Sequence, residues 1–170
     1  MHCKNDIIFL ADQDDVWNDE KIKIVLSYFI EDKVSAVIHN KTYVNNNLKV
    51  IKEYSTKEIK DFRYVNKKSI IYKNSVQGSC LAFRKRILKK VLPFPKKIPM
   101  HDSWIGMIAC DFGKVIYINK KLLLYRIHEN NLAPKKHKRV IDMIKDRICL
   151  LYNYLKRRKQ GEYDDKDIVR

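Results

Sequence analysis

Residues 7–17 read Ile-Ile-Phe-Leu-Ala-Asp-Gln-Asp-Asp-Val-Trp, and this stretch decides the fold. Its four leading apolar residues predict a short strand that is buried on both faces. Three carboxylates follow, at Asp12, Asp14 and Asp15, where open α/β sheets bind ligands beyond the carboxyl end of a strand. If the chain is still extended there, Asp12 and Asp14 lean toward one point because they are two residues apart. The alternative is a turn, in which aspartate is also common.

Two carboxylates at one point repel each other unless a cation or a proton lies between them. Mg²⁺ and Mn²⁺ are often held by one or two carboxylates and completed by substrate phosphates. Asp12 and Asp14 are therefore candidate metal ligands.

The composition limits the class of protein. The chain has 170 residues and 45% hydrophobic residues, which is enough for one domain with a core. The net charge of +16 favours anionic partners, such as nucleic acid, acidic lipid or phosphorylated substrates. The four cysteines are scattered, which argues against a zinc site and a disulfide scaffold and suits a reducing cytosol. The start has no signal-peptide pattern and no apolar run is long enough to span a membrane, so we expect a cytoplasmic location.

The remaining patterns predict alternating strands and helices. Asn18 is expected to cap a helix with Asp19 and Glu20 in its first turn. Gly78 permits close approach of backbone or ligand, or serves an ordinary turn. The other predicted elements are a strand at 36–39, a hairpin of 42–44 with 48–51, a short helix in the lysine-rich surface segment 52–76, a strand at 79–83, helices at 84–91 and 103–112, and strands at 114–118 and 122–126 around a turn.

The last part of the chain is basic and amphipathic. Between Lys135 and Lys159 there are ten Lys/Arg and two Asp. Apolar residues recur there at helical spacing, at Ile141, Ile144, Ile148, Leu151 and Leu155. Such a helix either lies on an anionic membrane surface or packs on its own domain with a solvated basic face.

The chain resembles the family 2 glycosyltransferases, especially their bacterial rhamnosyltransferase-like branch. The matching stretches occur in the order of the family and cover about residues 5–131. They are Phe-Leu-Ala-Asp-Gln-Asp-Asp-Val-Trp at 9–17 with Lys21, Gln-Gly-Ser-Cys at 77–80 with Ala82 and Phe83, Leu-Pro-Phe-Pro at 92–95, Ile-Pro-Met-His-Asp-Ser-Trp-Ile-Gly at 98–106, and Leu-Tyr-Arg-Ile-His-Glu-Asn-Asn at 124–131.

The resemblance implies a GT-A fold, a mixed α/β sheet that binds a nucleotide sugar across its strand ends. It makes Asp12 and Asp14 the Asp-x-Asp pair that holds Mn²⁺ or Mg²⁺, with Asp14 the more direct ligand. Asp102 matches the general base for inverting transfer, although it is also a candidate helix N-cap. His128 matches a histidine that completes the metal shell in some relatives, or it has a structural role.

The resemblance also implies a set of substrate-binding residues. The aromatic members of this set are equally often core residues, and the histidine either orients Asp102 or is simply exposed. The set comprises Asp15, Trp17, Gln77, Gly78, His101 and Trp104.

The chain departs from the family at its start, because the strand, helix and acidic loop that grip the base and ribose are missing. We therefore expect a partial GT-A domain at 1–131, the metal and acceptor half, and a basic helical extension at 132–170. A partner chain that supplies the missing half is one expectation.

Three functions follow from these patterns. The first is a metal-dependent inverting glycosyltransferase, or its C-terminal part, that transfers a sugar such as rhamnose from a UDP- or dTDP-sugar to a glycan or lipid-linked glycan in cell-surface polysaccharide synthesis. The second is a catalytically inactive remnant. The third is a basic, non-enzymatic module for anionic membrane or nucleic acid; nucleic acid is disfavoured because no reader motif occurs.

Overall fold

The computed structural model of the chain describes residues 3–51, 62–73, 76–127 and 139–159. These residues form a mixed sheet with flanking helices, which confirms the predicted α/β class. The strands are β1 (Ile7–Phe9), β2 (Val16–Trp17), β3 (Val34–Val44), β4 (Phe62–Val65), β5 (Leu81–Arg84) and β6 (Lys114–Arg126). The helices are α1 (Lys21–Tyr28), α2 (Lys67–Lys73), α3 (Leu88–Val91), α4 (His101–Phe112) and α5 (Val140–Lys159).

The sheet is built around the two longest strands, β3 and β6, which run parallel. The strand order is β1-β5-β3-β6-β2, and β4 also pairs with β6; these other pairings are antiparallel. Successive side chains on the strands alternate between two hydrophobic clusters, because side chains of a strand point to opposite faces. Ile38 and Phe83 join the cluster that includes α4 and α5, and Val37 and Ala82 join the cluster that includes α1. Helices therefore cover both faces of the sheet.

The predicted strand at the acidic motif is present, but its predicted burial is wrong. Ile7, Ile8 and Phe9 are only half-buried. Among the described strands β1 pairs with β5 alone, so it is an edge strand. Ile7 and Phe9 pack toward the α1 cluster and Ile8 packs toward the other. An apolar strand at the edge of a sheet is packed on both faces, but its open side leaves it only partly buried.

Two strands were predicted at 114–118 and 122–126, and the structure has one continuous strand, β6. The intervening Asn119 accepts a hydrogen bond from the Asn40 side chain at 2.7 Å. The pairing of β3 with β6 shifts register on both sides of Asn40. The polar residues of β6 therefore form a local irregularity in the strand, and the chain does not turn back there. The strand β4 was not predicted at all. The predicted hairpin at 42–51 is present: Val44 and Val50 form an antiparallel bridge, and the Ile51 amide donates to the Tyr43 carbonyl oxygen at 2.9 Å.

The helices also differ in detail from the prediction. Asn18 does not cap α1; its Oδ1 accepts the amide hydrogen of Glu20 at 3.0 Å in a turn before the helix. The helix predicted at 84–91 divides into a 3-10 turn at Lys85–Ile87 and α3. The predicted helix at 103–112 begins two residues earlier, at His101.

Candidate active site

The three carboxylates of the acidic motif lie in a turn between β1 and β2. The strand ends at Phe9, and residues 13–14 form the turn. Asp12 and Asp14 therefore flank and enter a turn instead of extending the strand, and their role as metal ligands stays a prediction. The three acids are nevertheless close, since Asp12 and Asp14 both raise the pKa of Asp15. We call residues 12–15 the acidic turn.

Strand β6 holds the acidic turn in place through Arg126. The Arg126 backbone amide donates to Asp15 Oδ1 at 3.3 Å, and its Nε donates to the Asp14 carbonyl oxygen at 3.0 Å. A third hydrogen bond joins Arg126 Nη1 to the Asn46 carbonyl oxygen at 2.5 Å. These contacts tie the turn to the end of a central strand.

Asp15 is partly buried in the acidic turn. Desolvation raises its pKa, and the nearby Ser79 hydroxyl and the Arg126 amide partly offset that rise. Asp15 Oδ2 and Ser79 Oγ are both buried, and neither has a partner with hydrogen-bond geometry in the described part of the chain. A buried carboxylate oxygen without a partner is costly, so this oxygen is a natural acceptor for a ligand or a cation.

Lys21 is a buried cation beside the acidic turn. It lies on the inward face of α1 and is only 1% exposed. Its Nζ donates to the Ser79 carbonyl oxygen at 3.0 Å and lies 3.7 Å from the centre of the Trp17 ring. Burial lowers the pKa of Lys21 to about 8, although Asp15 and Asp12 favour its charged form. Lys21 therefore stays mostly charged at neutral pH next to three acids, but it loses its proton far more readily than an exposed lysine does.

Two further basic groups on β3 lie near the same point. Burial lowers the pKa of Lys41, which is opposed by the charges of Asp12, Asp15 and Asp102. Burial also lowers the pKa of His39 to about 4, and its Nδ1 lies 2.8 Å from the Asn40 carbonyl oxygen. Lys41 is thus within electrostatic range of both the acidic turn and Asp102.

A 3-10 turn at Gly78–Cys80 connects the acidic turn to Asp102. On one side, the Ser79 carbonyl oxygen accepts from Lys21. On the other side, the Gly78 amide donates to Asp102 Oδ2 at 3.1 Å. A Cβ built on Gly78 would lie 4.0 Å from Leu10 and 3.5 Å from His101, both ordinary contacts. A side chain at residue 78 would therefore fit, and the described geometry favours the ordinary turn role for Gly78.

Asp102 is buried at the start of α4, where its carboxylate is held at both oxygens. Met100 is the N-cap, so the alternative role of Asp102 as the capping residue is wrong. Asp102 Oδ1 accepts from the Ser103 amide at 2.6 Å. Burial raises the pKa of Asp102, and the Ser103 amide, the His101 charge and the Gly78 amide oppose the rise. A raised pKa makes the carboxylate a stronger base.

The other predicted residues divide into those near the site and those away from it. Trp17 is half-buried, 5.8 Å from Phe9, and covers Lys21. Gln77 is half-buried and precedes the 3-10 turn, and His101 is exposed beside Asp102. Trp104 is fully buried in the core, where its Nε1 donates to the Val91 carbonyl oxygen at 3.0 Å. It cannot line a substrate pocket, so the core alternative is correct for Trp104.

The donor set of the acidic turn fits a divalent cation. The described residues contain no group of three His, Cys, Asp or Glu that could hold a metal alone. A Mg²⁺ or Mn²⁺ site completed by substrate phosphates needs only one or two carboxylates. Asp12, Asp14 and the unpartnered Oδ2 of Asp15 provide them. His128, the third predicted ligand, lies outside the described residues.

Sequence reasoning assigned no role to Lys21, His39, Lys41 or Arg126. Lys21 occupies an inward position four residues before Val25, where an apolar residue is expected, and that signal was available. His39 and Lys41 are two apart and extend an apolar strand toward the edge where ligands bind. The contacts of Arg126 bridge distant segments, and no local pattern indicates them.

A curled mixed sheet with flanking helices is similar to the architecture of a GT-A glycosyltransferase domain. The fold is similar to the crystal structure of S. aureus TarS residues 1–349 in complex with UDP-GlcNAc, with a TM-score of 0.58 and 14% identity. That similarity covers 91% of this chain and 49% of the TarS chain.

Two sequence comparisons give the family. The model of glycosyl transferase family 2 matches residues 1–92. A glycosyltransferase of Nostoc sp. (strain PCC 7120) is 28% identical over 131 residues, which is 74% of this chain and 41% of that protein. The chain therefore belongs to glycosyl transferase family 2, and it spans less than half the length of this curated relative.

Proposed function

We propose that the chain carries the leaving-group and acceptor side of a metal-dependent inverting glycosyltransferase. The observation that carries the proposal is the 3-10 turn at Gly78–Cys80, which contacts Asp102 through one residue and Lys21 through the next. A candidate base and a cationic, acid-rich phosphate site are thereby held in one rigid arrangement. Such an arrangement suits a reaction in which an acceptor is deprotonated while an anionic group departs.

In the proposed reaction, the acceptor hydroxyl oxygen attacks the anomeric carbon of the donor sugar. The bond from that carbon to the diphosphate oxygen breaks, and the nucleoside diphosphate leaves with the electron pair. Asp102 takes the acceptor proton. Asp12 and Asp14 would hold Mn²⁺ or Mg²⁺, which offsets negative charge on the diphosphate. Lys21 and Lys41 stabilise the same charge from beneath the turn.

The proposal also covers the donor, the acceptor and the place of the reaction. TarS was crystallised with UDP-GlcNAc, which supports a nucleotide-sugar donor for its relatives. The resemblance of the sequence motifs to the rhamnosyltransferase-like branch leads us to propose a rhamnosyl donor, a glycan acceptor and a role in cell-surface polysaccharide synthesis. We propose that this reaction takes place in the cytoplasm, where nucleotide sugars are consumed, as the scattered cysteines also favour.

Calorimetric titration of the chain with UDP and with dTDP, each with and without Mn²⁺, tests the phosphate site. We expect binding that requires the metal and is lost in Asp14→Asn. Asp19→Asn removes an exposed carboxylate just before α1 and is the matched control; it should bind as the wild type does. Metal-independent binding, or equal binding by Asp14→Asn, would refute the assignment of the acidic turn.

Sugar transfer tests the role of Asp102. In a form of the protein that transfers sugar, Asp102→Asn should lower the rate by about 10²–10⁴-fold, the usual contribution of a general base. Nucleotide binding should be unchanged in this variant, because Asp102 does not touch the diphosphate in our proposal. A folded wild-type chain that binds nucleotide and metal but transfers no sugar to any acceptor would favour the inactive remnant.

A further inference from the structure

The helix α5 has one face on the domain and a second, apolar face exposed. Leu150, Tyr154 and Arg157 are buried against the rest of the chain. Tyr154 donates to Asp111 Oδ1 at 2.9 Å, and Arg157 Nη1 donates to the Leu92 carbonyl oxygen at 3.2 Å. The helix is thus fixed in position, and its exposed face is fixed with it.

The exposed face is unusually apolar for a protein surface. Its seven large hydrophobic residues have exposed fractions from 38% to 69%. At about 100° per residue, all seven lie within an arc of about 120°, and this arc points away from the buried face. We call this set the α5 apolar face, and it comprises Val140, Ile141, Ile144, Ile148, Leu151, Tyr152 and Leu155.

The charged residues of α5 are sorted around this face. On a helical wheel, Arg147 and Arg158 lie at one border of the apolar arc, Lys145 and Lys156 lie at the other, and Lys159 follows its C-terminal end. The two acidic residues of the helix, Asp142 and Asp146, lie on the opposite side of the wheel. An apolar face with cations at its borders and no acidic residues beside it complements a partner that has an apolar interior and an anionic surface.

We propose that the α5 apolar face docks on the surface of an anionic lipid bilayer, with the helix parallel to the membrane plane. Apolar residues would enter the boundary between headgroups and acyl chains, and the bordering lysines and arginines would contact anionic headgroups. No helix in the described ranges is long and apolar enough to cross a membrane. The net charge of +16 adds long-range attraction to the same surface. This inference does not depend on the proposed transferase activity.

Vesicle flotation of the purified chain tests the proposal directly. We expect co-flotation with phosphatidylcholine vesicles that contain phosphatidylglycerol, little with phosphatidylcholine alone, and loss of binding as salt rises. Ile144→Gln with Ile148→Gln should weaken binding roughly a hundredfold, because two apolar side chains are no longer buried in lipid. Lys145→Glu with Lys156→Glu should weaken it by at least about thirtyfold.

The helix α1 and residues 29–33 that follow it provide matched controls, since α1 packs on the other face of the sheet. Ile22→Gln with Ile30→Gln alters residues that are 50% and 86% exposed. Lys23→Glu with Lys33→Glu makes the same change in net charge as the α5 charge variant. Both controls should float as the wild type does. All substituted residues are exposed, so circular dichroism should show an unchanged fold.

Three results would overturn the proposal. The first is a folded wild type that does not float with anionic vesicles. The second is equal loss of flotation in the α1 controls, which would assign binding to overall charge. The third is a concentration-dependent dimer in analytical ultracentrifugation that Ile144→Gln with Ile148→Gln abolishes and that does not bind vesicles, which would make the α5 apolar face a contact between two copies of the chain.

Discussion

Replacing Lys21 with methionine should separate the stability of the chain from its ability to bind a diphosphate. Methionine fills a similar volume between the Trp17 ring and the 3-10 turn, but it carries no charge and donates no hydrogen bond. Burial lowers the pKa of Lys21 from 10.5 to about 8. Lys21 is 1% exposed, so solvent screening of this effect is weak.

The lowered pKa fixes the direction of a pH effect. Between about pH 8 and 10.5 the unfolded chain binds a proton at Lys21 that the folded chain has released. The free energy of unfolding therefore rises with pH through this window. A shift of this size corresponds to about 3 kcal/mol in total, and about 2 kcal/mol of it appears between pH 7.5 and 9.5. Lys21→Met should lack this contribution.

The variant should also show how two opposing effects combine at neutral pH. Loss of the buried charge stabilises the fold, whereas the Ser79 carbonyl oxygen loses its 3.0 Å partner, which costs about 1–3 kcal/mol. We expect a free energy of unfolding at pH 7.5 within about 2 kcal/mol of the wild type. Affinity for UDP with Mn²⁺ should fall about tenfold, as expected when one positive charge is removed from beneath a partly buried anion site.

Urea unfolding at pH 7.5 and 9.5, on the wild type and on Lys21→Met, measures the pH effect as a difference of differences. This comparison cancels the titration of groups that do not interact with Lys21. Lys23→Met alters an exposed lysine two residues along α1 and should leave the wild-type pH dependence intact. An equal pH dependence in wild type and Lys21→Met would refute the assignment of a buried Lys21 with a lowered pKa.

Three further predictions concern single residues. Burial lowers the pKa of His39 to about 4, and the residue is 3% exposed. As pH falls from 6.5 toward 4, the unfolded chain binds a proton at His39 before the folded chain does, so the free energy of unfolding should drop by about 3 kcal/mol. In urea titrations, His39→Asn should remove this part of the acid sensitivity. Gly113→Ala should lower the free energy of unfolding by more than about 3 kcal/mol, because φ is +153° and the new Cβ would lie 2.3 Å from the Lys33 carbonyl oxygen; a melting temperature close to the wild type would contradict this. Tyr154→Phe removes a hydroxyl that donates to Asp111 and should cost about 1–2 kcal/mol in thermal unfolding, with little effect on nucleotide affinity.

The sequence identified the class and the main acids, because those signals are local. An apolar run followed by aspartates, a Gly78 turn before a strand and a helix at residue 103 each have a short-range cause. The edge position of β1 was not predictable, since it depends on pairing with β5, more than 70 residues away. The continuity of β6 was missed for the same reason, because Asn119 is held by Asn40 of another strand.

The basic half of the site was missed because its residues look ordinary in a chain with 36 Lys and Arg. Lysines are usually solvated, so neither Lys21 nor Lys41 stands out by type. Only their position on inward faces distinguishes them, and that position became visible once α1 and β3 were placed on the sheet. The error for Trp104 is the opposite one. Its place in a family-like motif predicted a substrate-binding role, but the side chain packs in the core beneath α4.

Burial drives the acids and the bases of this site in opposite directions, toward neutrality in each case. It raises the pKa of Asp15 and Asp102 and lowers the pKa of Lys21 and Lys41. A diphosphate near the lysines would favour their charged forms, and a divalent cation at the acidic turn would favour carboxylate over carboxylic acid. Each ligand therefore improves the site for the other, since the charge that one brings is the charge that the other binds. Metal-dependent nucleotide binding is the expected consequence, and its coupling should weaken when Lys21 is replaced by methionine.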